Sequence, residues 1–176
     1  PAFAAALAEL GAVYVDGAVG CARRAHASSY ALAGLMPAFA GPLLLEEMDA
    51  LTAAMEAPKQ PAVAIVGGAK VSSKIAVLKN LVTKLDHVII GGGMANTFLF
   101  ADGAPMGRSL HEADQVETVQ EIRALAAKSG CQIHLPEDVV IATEFKAGAE
   151  NRVVVTTQCT EGSMILDAGP RALSNF

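Results

Sequence analysis

Ala62-Val-Ala-Ile-Val-Gly-Gly-Ala-Lys-Val-Ser-Ser-Lys74 decides how the chain is read. Its first five residues are apolar throughout, as a strand covered on both faces is, and the run breaks at a glycine pair. Val71, Ile75, Leu78, Val82 and Leu85 then recur at helical spacing, which predicts a helix crossing back over the strand. Val88-Ile-Ile90 repeats the apolar run and meets Gly91-Gly92-Gly93, 24 residues beyond Gly67. A helix from Met94 to Phe100 follows. Strand, helix and strand at that interval form one step of a parallel α/β sheet.

The pattern extends in both directions. Downstream, Val116, Val119, Ile122 and Leu125 predict a third helix with Asp114 near its start, Lys128 in its last turn and Gly130 as its cap. Cys131 to Leu135 is expected as a strand. A polar excursion separates it from two more short strands, at Val153-Val-Val155 and Met164-Ile-Leu166. Upstream, Leu44, Met48, Leu51 and Met55 predict a helix held between Pro42 and Pro58. Before it come a helix end at Ala5 to Leu10 and a strand at Ala12 to Val15. Glycine and proline at positions 34 to 42 predict a domain boundary near residue 40.

Composition narrows the function. Of 176 residues, 52% are hydrophobic and 18% charged, which suits a packed domain, or parts of two, rather than a disordered chain. Thirteen Lys and Arg against eighteen Asp and Glu leave a net charge of −5, so nucleic acid and anionic membrane are not expected partners. The uncharged stretch between Arg24 and Glu46 is interrupted by Gly34, Pro37, Gly41 and Pro42, which argues against a membrane span. Cys21, Cys131 and Cys159 form no paired motif, so a reducing cytoplasm is expected. The chain opens on Pro1 with no basic leader and reads as cut from something longer.

Ligands of parallel sheets bind beyond the carboxyl ends of the strands, where Gly67-Gly68, Gly91-Gly92-Gly93 and Gly169 stand. Free amides at such turns suit phosphate oxygens, although tight strand-to-helix packing also favours glycine. Lys70 and Lys74 are expected one turn apart on one side of the helix start, where the local dipole disfavours cations. Either an anion sits between them or both stems reach out to water. Neither the Walker spacing nor the full dinucleotide fingerprint is present, and the strand after the first glycine turn ends in Gly91 rather than an acid, which disfavours nicotinamide. Arg23-Arg24-Ala25-His26 offers forked donors to a phosphate or carboxylate, or is a solvated pair beside a helix start. His87, His111 and His134 lack metal-ligand spacing.

Five strings taken together resemble one known family. Val63 to Lys74, Ile89 to Ala95, Gly107-Arg-Ser-Leu110, Leu135-Pro-Glu-Asp138 and Leu166-Asp-Ala-Gly-Pro170 are similar, in order and spacing, to phosphoglycerate kinase, and Arg24-Ala-His-Ala-Ser28 fits the family's preceding segment. The resemblance implies a two-domain kinase of Rossmann-like, three-layer α/β/α domains, each with a parallel sheet flanked by helices. Residues 1–40 would end the 3-phosphoglycerate domain; 41–176 would supply the hinge helix and the first half of the nucleotide domain. It further implies exchange of a phosphoryl group between ATP and 3-phosphoglycerate, with ADP and 1,3-bisphosphoglycerate as products, Mg2+ as cofactor and a monomeric cytoplasmic parent.

By the same resemblance Lys70 would steady the phosphoryl group in flight and Lys74 would hold nucleotide phosphate. Gly68, Gly92, Gly93 and Leu110 would line the nucleotide pocket; Arg24 and His26 would serve the 3-phosphoglycerate side. Val15-Asp-Gly-Ala-Val-Gly20 departs from the family's usual Val-Asn-Asp-Ala-Phe-Gly, and Arg23 replaces a usual histidine. The family's early substrate-binding segment and its late magnesium-associated segment have no counterpart in these residues. The piece is therefore expected to be inactive alone, and a non-catalytic nucleotide-binding remnant of the same fold is the alternative.

Overall fold

A computed structural model describes residues 2–56 and 58–176. The chain divides into two compact units, Pro1–Pro58 and Lys59–Phe176.

In the first unit, α1 (Ala2–Ala8) leads to β1 (Tyr14–Asp16), the short helix α2 (Val19–Ala22), a π-type turn at Ala27–Ala31 and β2 (Ala38–Ala40), which pairs in parallel with β1. The glycine-proline stretch read only as a separator contains this second strand. Helix α3 (Pro42–Glu56) follows as expected, but it belongs to this unit. The division lies after Pro58 rather than near residue 40 because α3 is tied back to what precedes it. Gly41 N donates to Asp16 O at 2.7 Å, and Val19 N donates to Glu47 Oε2 at 2.9 Å. Of the α3 stripe only Leu44 is buried; Met48 and Leu51 are exposed.

The second unit opens with β3 (Val63–Gly67), α4 (Ile75–Leu81), β4 (His87–Gly91) and α5 (Gly92–Ala101), then α6 (Val116–Ser129) and β5 (Gln132–His134). These strands form a parallel sheet in the order β3-β4-β5. Both crossovers step in the same direction across the sheet, so right-handed connections lay α4, α5 and α6 over one face. Val88 and Ile90 beneath them are fully buried, with Phe98, Leu78, Val119 and Ile122 as the main helical contributors. Helix α6 ends where the sequence predicts, on Gly130 at φ +83°, a left-handed cap. Asn175 and Phe176 approach the opposite face beside Val63, Ile89 and a histidine pair, with His87 Nδ1 2.9 Å from His134 Nε2. Outer-strand Ile65 on that face is 80% exposed.

The polar excursion hides a strand. β6 (Asp138–Ala142) lies at the centre of a second sheet, flanked antiparallel by β7 (Asn151–Val155) and β8 (Met164–Ala168). Its central Val139-Val-Ile141 run was obscured by the acids of the preceding Pro-Glu-Asp. Asp138 itself is buried, and its two carboxylate oxygens accept from Ala172 N (2.7 Å) and Arg171 N (3.2 Å), the first amides of α7 (Pro170–Asn175). No helix among the described residues is long and apolar enough to cross a membrane.

Candidate functional site

The two glycine turns open side by side, because β3 and β4 pair with Gly67 opposite Gly91. The constant offset of 24 residues in the sequence is this register, and it puts both strand mouths on one rim. Gly68 O accepts from Met94 N at 2.9 Å, stitching the first turn to the first turn of α5. Gly92 lies at φ +66°, and a Cβ there would come within 3.1 Å of Gly68 O. At Gly93 a Cβ would stand 2.8 Å from Ala69 O and 3.3 Å from Leu110 Cδ2. Three of the glycines singled out for nucleotide binding are thus also the ones that let the loops touch.

The lysine loop departs from expectation. Residues 68–74 are irregular, and α4 begins only at Ile75, so Lys70 and Lys74 do not share a helical face. The repeat at Val71 imitates a helical turn because Val71 is fully buried, but it reaches the core from the loop. Lys74 stands at the N-cap, its N donating to Val71 O at 2.8 Å while its O accepts from Leu78 N at 2.9 Å. Ser73 Oγ closes the preceding turn on Lys70 O at 2.8 Å. The aliphatic end of Lys74 folds over the glycine turn, its Cε 3.5 Å from where a Gly68 Cβ would be, whereas Lys70 is exposed.

A third loop completes the rim. Leu110 follows the left-handed Gly107, its O accepting from Asn96 Nδ2 at 3.1 Å, and His111 Nδ1 donates to Ser109 O at 2.9 Å. Gly68, Lys74, Gly92, Gly93 and Leu110 are therefore brought together in the second unit, with Lys70 on the same loop. A narrow crevice begins at Gly92, Gly93 and Asn96 and runs to Leu166 and Asp167. Arg24 and His26 lie in the first unit at the turn after α2, both exposed. The Arg24 carbonyl accepts from His26 N (2.9 Å) and Ser29 Oγ (3.1 Å).

Sequence reasoning missed the fastening of these loops. Ser72 donates from Oγ to Glu112 Oε1 at 2.5 Å and from N to Glu112 Oε2 at 3.0 Å. Partial burial pulls the Glu112 carboxyl upward, but the Ser72 and Val71 hydrogen bonds outweigh it and hold the group below its ordinary value. Glu112 N in turn donates to Thr97 Oγ1 at 3.1 Å, and Thr97 Oγ1 donates to Gly93 O at 3.2 Å. Nothing local signals a pairing across 40 residues.

Backbone amides, a small-residue cradle and lysine charge meet at the carboxyl edge of a parallel sheet, the place where ligands of open α/β domains bind. The family profile described as phosphoglycerate kinase matches residues 1–176, and the chain belongs to that family. Phosphoglycerate kinase from Cereibacter sphaeroides (strain ATCC 17029 / ATH 2.4.9) is 55% identical over 174 residues, covering 99% of this chain and 44% of the relative. The protein of the same name from Methylorubrum populi is 53% identical over 176 residues, again across 44% of its length. Among solved structures, phosphoglycerate kinase from Coxiella burnetii superposes with a TM-score of 0.85 at 40% identity, covering 99% of this chain and 45% of that one. The Pyrococcus horikoshii enzyme gives 0.76 at 25% identity, with coverages of 96% and 43%. The chain spans less than half the length of the relatives it matches.

Proposed function

We propose that the intact protein carrying this chain is an ATP-dependent phosphoglycerate kinase, reversibly passing a phosphoryl group between ATP and 3-phosphoglycerate, and that the second unit supplies its nucleotide phosphate cradle. The carrying observation is the convergence of Gly68, Gly92, Gly93 and Lys74 at paired strand mouths. Phosphoryl transfer asks little covalent chemistry of a protein; positioning and positive potential where charge spreads are enough. Lys74, leaning over Gly68, holds nucleotide phosphate, while Gly92 and Gly93 let the backbone approach it. Lys70, exposed and with no side-chain hydrogen bond or ion pair among the described residues, follows the transferring group. Leu110 gives the pocket an apolar wall. Arg24 and His26, with the first unit, serve the 3-phosphoglycerate side.

Magnesium finds no cage of three or more His, Cys, Asp or Glu side chains among the described residues. The chemistry assigned to this chain rests on its lysines and amides. The reading carries with it a monomeric cytoplasmic enzyme of small-molecule substrates, with neither nucleic acid nor membrane as partner. A coupled assay of the intact protein should consume ATP only when 3-phosphoglycerate is present. Nucleotide binding without turnover would instead support a remnant that kept the fold, a reading favoured by the altered residues 16–23.

A further inference from the structure

We propose that Glu112 is a positioning residue, whose carboxylate straps the lysine loop to the rim in the arrangement that receives nucleotide phosphate. The inference rests on the nucleotide reading of this site. Ser72 sits midway between Lys70 and Lys74 and presents two donors, N and Oγ, to a single planar group. A carboxylate meets both at once, its two oxygens standing side by side and carrying the charge that strengthens each bond. The strap continues through Glu112 N to Thr97 Oγ1 and from there to Gly93 O. One connected run of hydrogen bonds thereby joins the loop after β3, the loop bearing Leu110 and the glycine turn after β4.

The remainder of the lysine loop has no regular structure to hold it. Residues 68–73 lie outside any helix or strand, and the next fixed point is the α4 amino end at Lys74. Val71 anchors the loop to the core by burial, but an apolar anchor does not set the rotation of the backbone around it. Local turn bonds at Ser73 and Lys74 shape the loop, and the two bonds at Ser72 tie that shape to the rim. With the loop already set, an arriving phosphate meets oriented charge and pays no reorganisation at the moment of binding.

Glu112→Gln keeps shape but removes the charge, leaving at most a weaker neutral pairing with Ser72 N and Oγ. The test titrates ADP into the intact protein and into its Glu112→Gln, Ser72→Ala and double variants, with circular dichroism to verify the fold. The expected result is a roughly three- to tenfold loss of affinity in Glu112→Gln, a smaller loss in Ser72→Ala, and no further loss in the double variant, as for members of one linked pair. Wild-type affinity in Glu112→Gln, or fully additive losses, overturns the proposal. Should Glu112→Gln not fold, Ser72→Ala decides alone by the same comparison with the wild type. Amide exchange at Ser72 and Lys74, read without nucleotide, separates this inference from the reading beneath it. Faster exchange in Glu112→Gln beside a wild-type chain that takes up no ADP upholds the strap and removes the nucleotide site, whereas unchanged exchange removes the strap.

Discussion

At Gly93 the backbone leaves less room than a methyl group needs, and the obstacle is backbone rather than the end of a flexible side chain. Gly93→Ala should therefore push the two glycine turns apart, lowering stability by about 1–3 kcal/mol in a urea titration. Gly107→Ala is a harsher case, since Gly107 has φ +52° and its Cβ would lie 2.5 Å from Thr160 O and closer still to Ser163 O; a loss above ~2 kcal/mol is expected. The lysines call for different measurements. In the intact protein Lys74→Ala should weaken nucleotide binding by ~1–3 kcal/mol, seen by calorimetry, while Lys70→Ala should chiefly lower kcat. A Lys70 variant altered only in KM would contradict its assigned part. Glu112 adds a pH signature. Its carboxyl titrates lower folded than unfolded, so its contribution is present above the unfolded value and fades as pH falls through the folded one, with Asp114 opposing the shift. The Glu112 carboxyl resonance should therefore titrate below the ordinary glutamate range in the native chain, and Ser72→Ala should move it back up.

Elements were legible where periodicity and punctuation agreed. β3, β4 and α6 carry unbroken apolar runs or a clean stripe bounded by glycine, and each forms close to the place its sequence indicates. The errors share a cause, which is that burial does not require the element that usually delivers it. Val71 is buried from a loop, and the helix read back to it starts later. β2 is three exposed residues whose parallel pairing to β1 no local pattern announces. β6 begins on a buried aspartate, a residue type that ordinarily marks a turn. At the site, spacing pointed to the glycine turns at 67–68 and 91–93 and to Lys70 and Lys74 together, and the turns meet because strand mouths paired in parallel bring equal offsets together. The Glu112 strap was invisible because it depends on where a distant loop returns. For α6, Gly130→Ala forces a left-handed φ on a residue with a Cβ and should destabilise by about 1 kcal/mol in the same urea titration.

Over the whole molecule, apolar surface is unevenly covered. Phe39, Leu43, Met48 and Leu51 of the first unit, and Val63 and Ile65 of the second, are about half exposed or more, in a chain that spans less than half its relatives. The native chain should accordingly bind a hydrophobic dye such as ANS, and an unchanged dye spectrum would speak against this degree of exposure. Asp138 bears on the history of the molecule rather than its surface. The first turn of α7 has amides with no partner inside the helix, and Arg171 N and Ala172 N find theirs in the opening residue of β6, over 30 positions earlier. That turn should therefore gain protection only once β6 is in place, which makes it a clock for the docking of that strand.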